Sequence, residues 1–353
     1  MRKNLVNKAI CEETSLENWL EKFKIVVVIP SYNVANQIEM VLSTMPAFVT
    51  NIVVVNDASK DNTGQKVKEL LEKDTRIILI EHEKNKGVGG AMVTGFYKAL
   101  SLEPDVIVKM DGDGQMNPNF LPDLITPLIL GVADYTKGNR FRDFQALRKM
   151  PTLRRIGNIG LSFMVKAATG YWKCFDPTNG FLATRADVLK FIPLDKIHFS
   201  YFFEISLLSQ MYLLGAVVKD IPMPALYGDE KSNLSIKKVL LEFPGKLFFC
   251  FCRRIMIKKF IYDFSIESVY LILGIPMILA GVIYGGYHWY VNAMANIPTP
   301  TGTVVIPSLL IMLGFQIILA AIGIDLQSFP QDPICNGPLT LEEPPRSINK
   351  HNS

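Results

Sequence analysis

The chain has 353 residues, enough for one or two domains with a sizeable core, and 49% of them are hydrophobic. A net charge of +4 is too mild to argue for a nucleic-acid partner. The five cysteines are scattered and odd in number, and Cys250 and Cys252 stand too close for the usual zinc pairing, so free thiols on the reducing side of a membrane fit best.

Residues 1–23 read as a polar arm, with an amphipathic turn through Leu16, Trp19, Leu20 and Phe23. They hold no long apolar core, so no signal peptide is expected there. From Lys24 a βα rhythm begins. Residues 25–29 form an unbroken β-branched run, which predicts a strand buried on both faces, as in a parallel sheet. A helix is expected over 36–45, a strand over 52–55, a helix over 63–73 and a strand over 77–80. A glycine-rich turn at 87–90 opens a helix to 102, and a strand follows at 106–110. This alternation predicts an α/β sheet of mainly parallel strands.

Beyond Phe120 the pattern loosens. Helices are expected over 121–130 and 153–168, with a short strand over 133–137 between them. A turn and short strand follow over 177–184, an apolar helix carrying Glu204 over 202–214, and a last strand over 216–221. Residues 240–264 interleave Phe and Leu with Lys246, Arg253, Arg254, Lys258 and Lys259, a composition suited to a bilayer surface. Residues 268–291 and 304–324 contain no Lys, Arg, Asp or Glu, and each is long enough to cross a bilayer as a helix. Cations gather before the first of these segments and are absent from the loop between them. The positive-inside rule then puts the N-terminal domain in the cytoplasm, the loop outside and the tail back inside. The domain boundaries expected are 1–23, 24–235, 236–265, 266–326 and a disordered tail over 327–353.

The chemistry concentrates at 106–118, VIVKMDGDGQMNP. Asp111 and Asp113 stand one residue apart at the end of an apolar run, at the rim where parallel sheets bind ligands. Two readings are open: a Mg²⁺ or Mn²⁺ site holding a diphosphate, or a polar turn after a buried strand. Asp57, at the end of the second strand, is placed to accept hydrogen bonds from a nucleobase or ribose. Ser59 and Asp61 read as turn and cap formers. At Lys86 and Gly87 the glycine-rich turn offers backbone N–H groups to an anion, or is a plain loop. None of the four histidines falls in a motif.

Five motifs occur in order: VVVIPSYN, NDASKDNT, NKGVGGA, DGDGQMNP and, at 176–181, DPTNGF. Together they resemble the family 2 glycosyltransferases of GT-A fold, a Rossmann-like nucleotide-diphospho-sugar transferase architecture. The similarity extends to the branch of dolichyl-phosphate mannose synthases and bacterial polyprenyl-phosphate glycosyltransferases, and covers roughly residues 24–233. The resemblance implies that Pro30, Tyr32 and Asn33 line the nucleotide pocket and that Asp57 recognises base or ribose. It implies that Asp111, Asp113 and Gln115 hold a divalent metal and the diphosphate. Arg140 with Arg154 or Arg155 would grip the acceptor phosphate, and Asp176 and Gly180 would form the turn beneath it. Where the branch often carries Arg before Ser-Lys, this chain has Lys231 before Ser232, which puts the diphosphate contacts there in doubt.

The implied reaction carries a sugar from a nucleotide diphosphate to a polyprenyl phosphate at the cytoplasmic face, with a lipid bilayer as partner and a homo-oligomer left open. Glu204 is either a base toward a hydroxyl acceptor or the partner of a cation. A processive synthase fits less well, because Gln145 and Arg148 are followed by Lys149 rather than Trp. A single-transfer enzyme with a hydroxyl acceptor remains an alternative, and a non-catalytic membrane scaffold is opposed by the intact Asp57, Asp111 and Asp113.

Overall fold

The protein is described by a computed structural model. It describes residues 16–140, 152–176, 179–224, 236–335 and 337–339, without the side chains of 152–156, 158 and 236–241. The chain forms two compact units, residues 1–248 with 330–353, and residues 249–329.

The first unit is built on seven strands: β1 (Ile25–Ser31), β2 (Asn51–Asn56), β3 (Ile77–Glu81), β4 (Val106–Lys109), β5 (Tyr135–Asn139), β6 (Leu182–Arg185) and β7 (Val218–Pro222). Their order across the sheet is β3-β2-β1-β4-β6-β5-β7. The βα half is parallel, as the β-branched runs predict. The mainly parallel sheet is broken by β6, which runs antiparallel to both β4 and β5. That placement depends on long-range pairing, which no local pattern in the sequence encodes.

Helices cover both faces. α1 (Ile38–Ser43), α2 (Thr63–Leu71) and α4 (Leu121–Ile129) pack on one side, against Ile25, Val27 and Ile29 of β1. α3 (Gly87–Ser101) packs on the other, against Val26 and Val28. The remaining helices of this unit are α5 (Thr152–Thr169), α6 (Ala186–Leu189), α7 (Phe203–Leu214) and the start of α8 (Ile236–Ile255). α7 shares the core of α3 through Phe203, Leu207, Leu208 and Met211. Successive β1 side chains thus enter opposite cores, which is why the run is apolar without alternation.

The expected disorder from Gln327 onward does not hold for residues 334, 335 and 337–339. The buried Asp134 carboxylate accepts from the backbone N–H of Ile334 (2.9 Å), Cys335 (3.4 Å) and Val217 (2.8 Å). Arg185 donates to the Gly337 carbonyl at 3.1 Å, and the Leu339 N–H to that of Ile129 at 2.7 Å. Cys335 and Leu339 also pack against the two cores. A Pro- and Asn-rich stretch is ordered here by receptors elsewhere in the chain.

The second unit holds a π-helical segment, Met256–Tyr262, followed by α9 (Ile266–Met294) and α10 (Thr301–Gln327). Both helices are long and apolar enough to cross a membrane, and most of their surface is exposed. At 1.5 Å per residue each reaches about 40 Å. They approach closely at Gly274 and Gly314, where a Cβ on either would meet the other's carbonyl oxygen at 3.1 and 2.9 Å. Tyr284, Tyr287, Trp289 and Tyr290 are exposed near the end of α9, as in an interfacial aromatic belt. Both helices extend past the charge-free spans and take in Glu267 and Asp325. Arg254 forks onto Asp325 at 2.7 and 3.0 Å, and Lys259 pairs with Glu267.

Candidate active site

Three loops at the carboxyl ends of β1, β2 and β3 are laced together. Asn33, left-handed at φ 55°, accepts at Oδ1 from the Lys60 N–H (2.8 Å), and its own N–H donates to Ser59 Oγ (3.0 Å). Asp61 accepts from Thr63 Oγ1 (2.6 Å), Thr63 N (3.1 Å) and Ala35 N (3.1 Å). Burial opposes ionisation of Asp61, but these hydrogen bonds outweigh it and hold the carboxyl below its ordinary value. The expected turn-forming roles of Ser59 and Asp61 are thus visible as cross-loop contacts. Tyr32 beside them is exposed and Pro30 half-buried.

Asp57 is buried, and its carboxylate serves the chain itself. Oδ1 meets His82 Nδ1 at 2.7 Å and accepts from the Lys86 N–H at 2.9 Å, while Oδ2 accepts from the Gly87 N–H at 2.8 Å. His82 Nε2 in turn meets Thr94 Oγ1 at 2.9 Å. The next donors of the glycine-rich turn, Gly89 N and Gly90 N, point at the Phe199 carbonyl at 2.9 and 3.3 Å. The donors of Lys86, Gly87, Gly89 and Gly90 are therefore engaged within the chain.

β4 ends at Lys109, so Asp111 and Asp113 lie in a turn beyond the strand rather than on its pleat. Gly114 sits at φ +77°, a conformation that admits glycine with little strain. The Asp113 carboxylate accepts from the Gln115 N–H at 3.0 Å. Lys109 itself, fully buried, is a residue that the sequence reading passed over. Its Nζ donates to Asp111 Oδ1 (2.7 Å) and the Gly180 carbonyl (3.2 Å), and pairs with Glu204 Oε1 (3.3 Å). Burial alone would lower its basicity, but Asp111 and Glu204 outweigh that and hold the ammonium above its ordinary value. A Cβ on Gly180 would stand 2.4 Å from Lys109 Nζ and 2.7 Å from Asp111 Oδ2, so only glycine admits this approach. Of the two roles open to Glu204, the observed geometry is that of a cation's partner.

Register extends this row across the sheet. Lys109 and Lys137 both stand opposite Leu182, and Lys137 stands opposite Asp220. Lys137 is fully buried, its Nζ makes no hydrogen bond among the described residues, and burial lowers its basicity. Asp220 accepts from Asn139 Nδ2 (3.1 Å) and the Phe175 N–H (2.7 Å), and burial pushes its carboxyl up. One turn away, Arg140 forks onto the wholly buried Asp176, with Nε to Oδ2 at 2.8 Å and Nη2 to Oδ1 at 3.1 Å. Arg140 stays 38% exposed while Asp176 holds its plane. Arg154 and Arg155 fall in the first turn of α5, where side chains lie outside the described residues, as does all of Lys231.

Residues 26–192 match the profile of Glycosyl transferase family 2. A UDP-N-acetylglucosamine–dolichyl-phosphate N-acetylglucosaminyltransferase of Methanococcus voltae is 35% identical over 179 residues, 47% of this chain and 71% of that protein. The chain belongs to glycosyl transferase family 2. The family 2 chain is also 28% identical over 292 residues to a dolichol-phosphate mannosyltransferase of Pyrococcus furiosus, covering 81% of this chain and 76% of that one. An undecaprenyl-phosphate mannosyltransferase of Micrococcus luteus is 29% identical over 203 residues, 57% of this chain and 82% of the relative. It is therefore a glycosyltransferase, similar to the polyprenyl-phosphate branch, and two of its helices are long and apolar enough to cross a membrane. The fold is of GT-A type. Glucosyl-3-phosphoglycerate synthase from Mycobacterium tuberculosis, in complex with Mn²⁺, UDP-glucose and phosphoglyceric acid, superposes with a TM-score of 0.50 at 19% identity, over 68% of this chain and 82% of that one.

The donor set of this family 2 transferase suits a hard divalent ion that keeps part of its shell for substrate. Asp111 has one oxygen committed to Lys109 and its second turned toward Gly180, Asp113 lies in the same turn, and Gln115 is exposed beside it. No cluster of three or more His, Cys, Asp or Glu occurs among the described residues. Mg²⁺-like ions use one or two carboxylates and complete their shell with phosphate oxygens and water.

Proposed function

We propose that this transferase moves a sugar from a nucleotide diphosphate to a polyprenyl phosphate, with inversion, on the cytoplasmic face of a membrane. The observation that carries the reading is the meeting of two kinds of group at one turn. Gly180 packs on Lys109 and Asp111, and Asp176, four residues earlier, holds Arg140. A carboxylate centre suited to a metal diphosphate thus adjoins an arginine suited to a phosphate.

Asp111 and Asp113, with the amide of Gln115, would hold Mg²⁺ or Mn²⁺, which neutralises charge on a departing diphosphate. Pro30, Tyr32 and Asn33 would line the nucleotide pocket, and Asp57 with His82 would hold the loop at Lys86 and Gly87 that borders it. Arg140, helped by Arg154 or Arg155, would orient the acceptor phosphate in line with the anomeric carbon. A phosphate monoester has its second pKa near ~6 and is already an anion at neutral pH, so the chain needs no strong base. Glu204, paired to Lys109, agrees with that economy. Domain boundaries near 24–235, 236–265 and 266–326 follow the same reading.

The relatives named for dolichyl and undecaprenyl phosphates support the acceptor. A polyprenyl phosphate is confined to the bilayer, and the two spans confine the enzyme with it. Two crossings return the chain to the side it left, in keeping with residues 330–335 and 337–339 belonging to the catalytic unit. Arg253 and Lys258 near the first span, and an uncharged loop after it, support the cytoplasmic assignment. The test is incubation of membranes holding the protein with UDP- and GDP-sugars, each with and without EDTA. Metal-dependent label in the organic extract is expected, and label confined to water-soluble product overturns the reading.

A further inference from the structure

Lys109 is connected to more of the site than any sequence motif suggests. Its ammonium has three donors, and three acceptors surround it: Asp111 from the turn after β4, the Gly180 carbonyl from the turn before β6, and Glu204 from the first turn of α7. These segments lie far apart in sequence and all three meet at this nitrogen, while Gly180 also packs directly on Asp111 and Met116. A lysine buried this completely is unfavourable unless its charge is matched, and here two carboxylates match it. The glycine at 180 leaves no slack, since any side chain there would strike the ammonium and Asp111 together. A displacement of Asp111 is therefore felt at the buried Lys109 ammonium, which the Gly180 carbonyl and Glu204 also contact.

We propose that Lys109 is a positioning residue that couples the Asp111–Asp113 turn to the Gly180 turn and α7, with Glu204 as its fixed counter-charge rather than a proton acceptor. The proposal rests on the transferase reading above and adds to it how the donor and acceptor sides are kept in register. Arg140 belongs to the same arrangement through Asp176, so loading the first turn would tighten the seat of the acceptor grip. This is a positioning role, because Lys109 is buried behind Asp111 and reaches ligands only through it.

The test is hydrogen exchange of the full chain in lipid nanodiscs, with Mn²⁺ and either UDP or GDP as probe. In the wild type, slowed exchange is expected over 110–116 and also over 179–185 and 203–208. In Lys109→Met, protection over 110–116 is expected to persist while protection of the other two segments is lost. A merely structural lysine would weaken all three segments together, with or without the probe. Should the single variant not fold, Lys109→Met with Glu204→Leu removes both charges of the buried pair and takes its place. Glu204→Gln keeps an acceptor for Lys109 but removes one of its two counter-charges, so a lower melting temperature is expected, with turnover falling far less than on loss of a proton acceptor. Loss of a true general base would cost ~10²–10⁴-fold. Spread of protection in the folded Lys109 variant as in the wild type overturns the coupling, and so does confinement of protection to 110–116 in the wild type. Absence of protection at 110–116 in the wild type removes the nucleotide site itself, and the coupling with it.

Discussion

Asp57 and His82 are paired at 2.7 Å, carboxylate Oδ1 to imidazole Nδ1, with both side chains almost wholly buried. The pair fixes the loop that carries Lys86 and Gly87, since the same carboxylate accepts both of their N–H groups. His82→Ala removes one of three partners from a buried carboxylate, a loss of about 1–3 kcal/mol in the order of that loop. A rise of roughly tenfold in KM for the nucleotide sugar is expected, with kcat changed little. Initial rates over a range of donor concentrations check it.

Asp113 lies half-buried in a turn where its carboxylate accepts from the nearby Gln115 N–H, so its loss is expected to affect chemistry more than folding. Asp113→Asn should reduce transfer by on the order of 10³-fold, the scale on which a lost electrostatic stabiliser is felt, while leaving thermal unfolding unchanged. Transfer assays across a Mn²⁺ titration, beside a melting curve of the same preparation, separate the two.

Arg140 presents a planar fork held by Asp176, and a lysine cannot reproduce that geometry. Arg140→Lys keeps the charge but is expected to lower kcat/KM for the lipid acceptor by about 10²-fold, as for loss of a charged hydrogen-bonded contact. Hydrolysis of the donor in the absence of acceptor should be unaffected. Measuring transfer with acceptor and donor hydrolysis without it, on the same preparation, tests the distinction.

Hydrogen bonding from Arg76 holds the Asp74 carboxyl below its ordinary value. Its folded-state pKa is depressed, so its contribution is complete above the unfolded value and is lost as pH falls through the folded one. Asp74→Asn should therefore melt below the wild type at neutral pH, and the gap should close as pH drops below about 4. Melting curves from pH 7 downward measure it.

Asp134 binds the C-terminal segment through two backbone N–H groups, and the N–H of Val217, just before β7, is its third donor. Asp134→Ala leaves these buried donors unpaired, and a destabilisation of about 2–4 kcal/mol is expected. Truncation after Phe329 should lower the melting temperature in the same direction. Addition of a peptide spanning 330–345 should restore part of it.

The βα half of the fold is legible in the sequence because residues 25–29, 52–55 and 106–108 are continuously apolar and have no other place than a doubly covered sheet. β6 is not legible as an antiparallel insertion, since LATR carries no sign of which neighbours it pairs. At the site, Asp111, Asp113 and Arg140 stand out because exposed polar residues follow strand ends. Lys109 was hidden by the apolar run that precedes it, although a lysine closing such a run is itself a signal of a buried counter-charge. His82 gave no signal, because its partner lies 25 positions away. Residues 334, 335 and 337 could not be placed from composition, since they are held by Asp134 and Arg185 from elsewhere in the chain.

The most direct measurement is the chemical nature of the product made by wild-type membranes supplied with labelled nucleotide sugar. A sugar joined to a polyprenyl phosphate should partition into organic solvent, be released by mild acid, and be absent from parallel reactions of Asp113→Asn. Label that survives mild acid as an ordinary glycoside, or that forms equally with Asp113→Asn, would contradict the transfer to a lipid phosphate proposed for this chain.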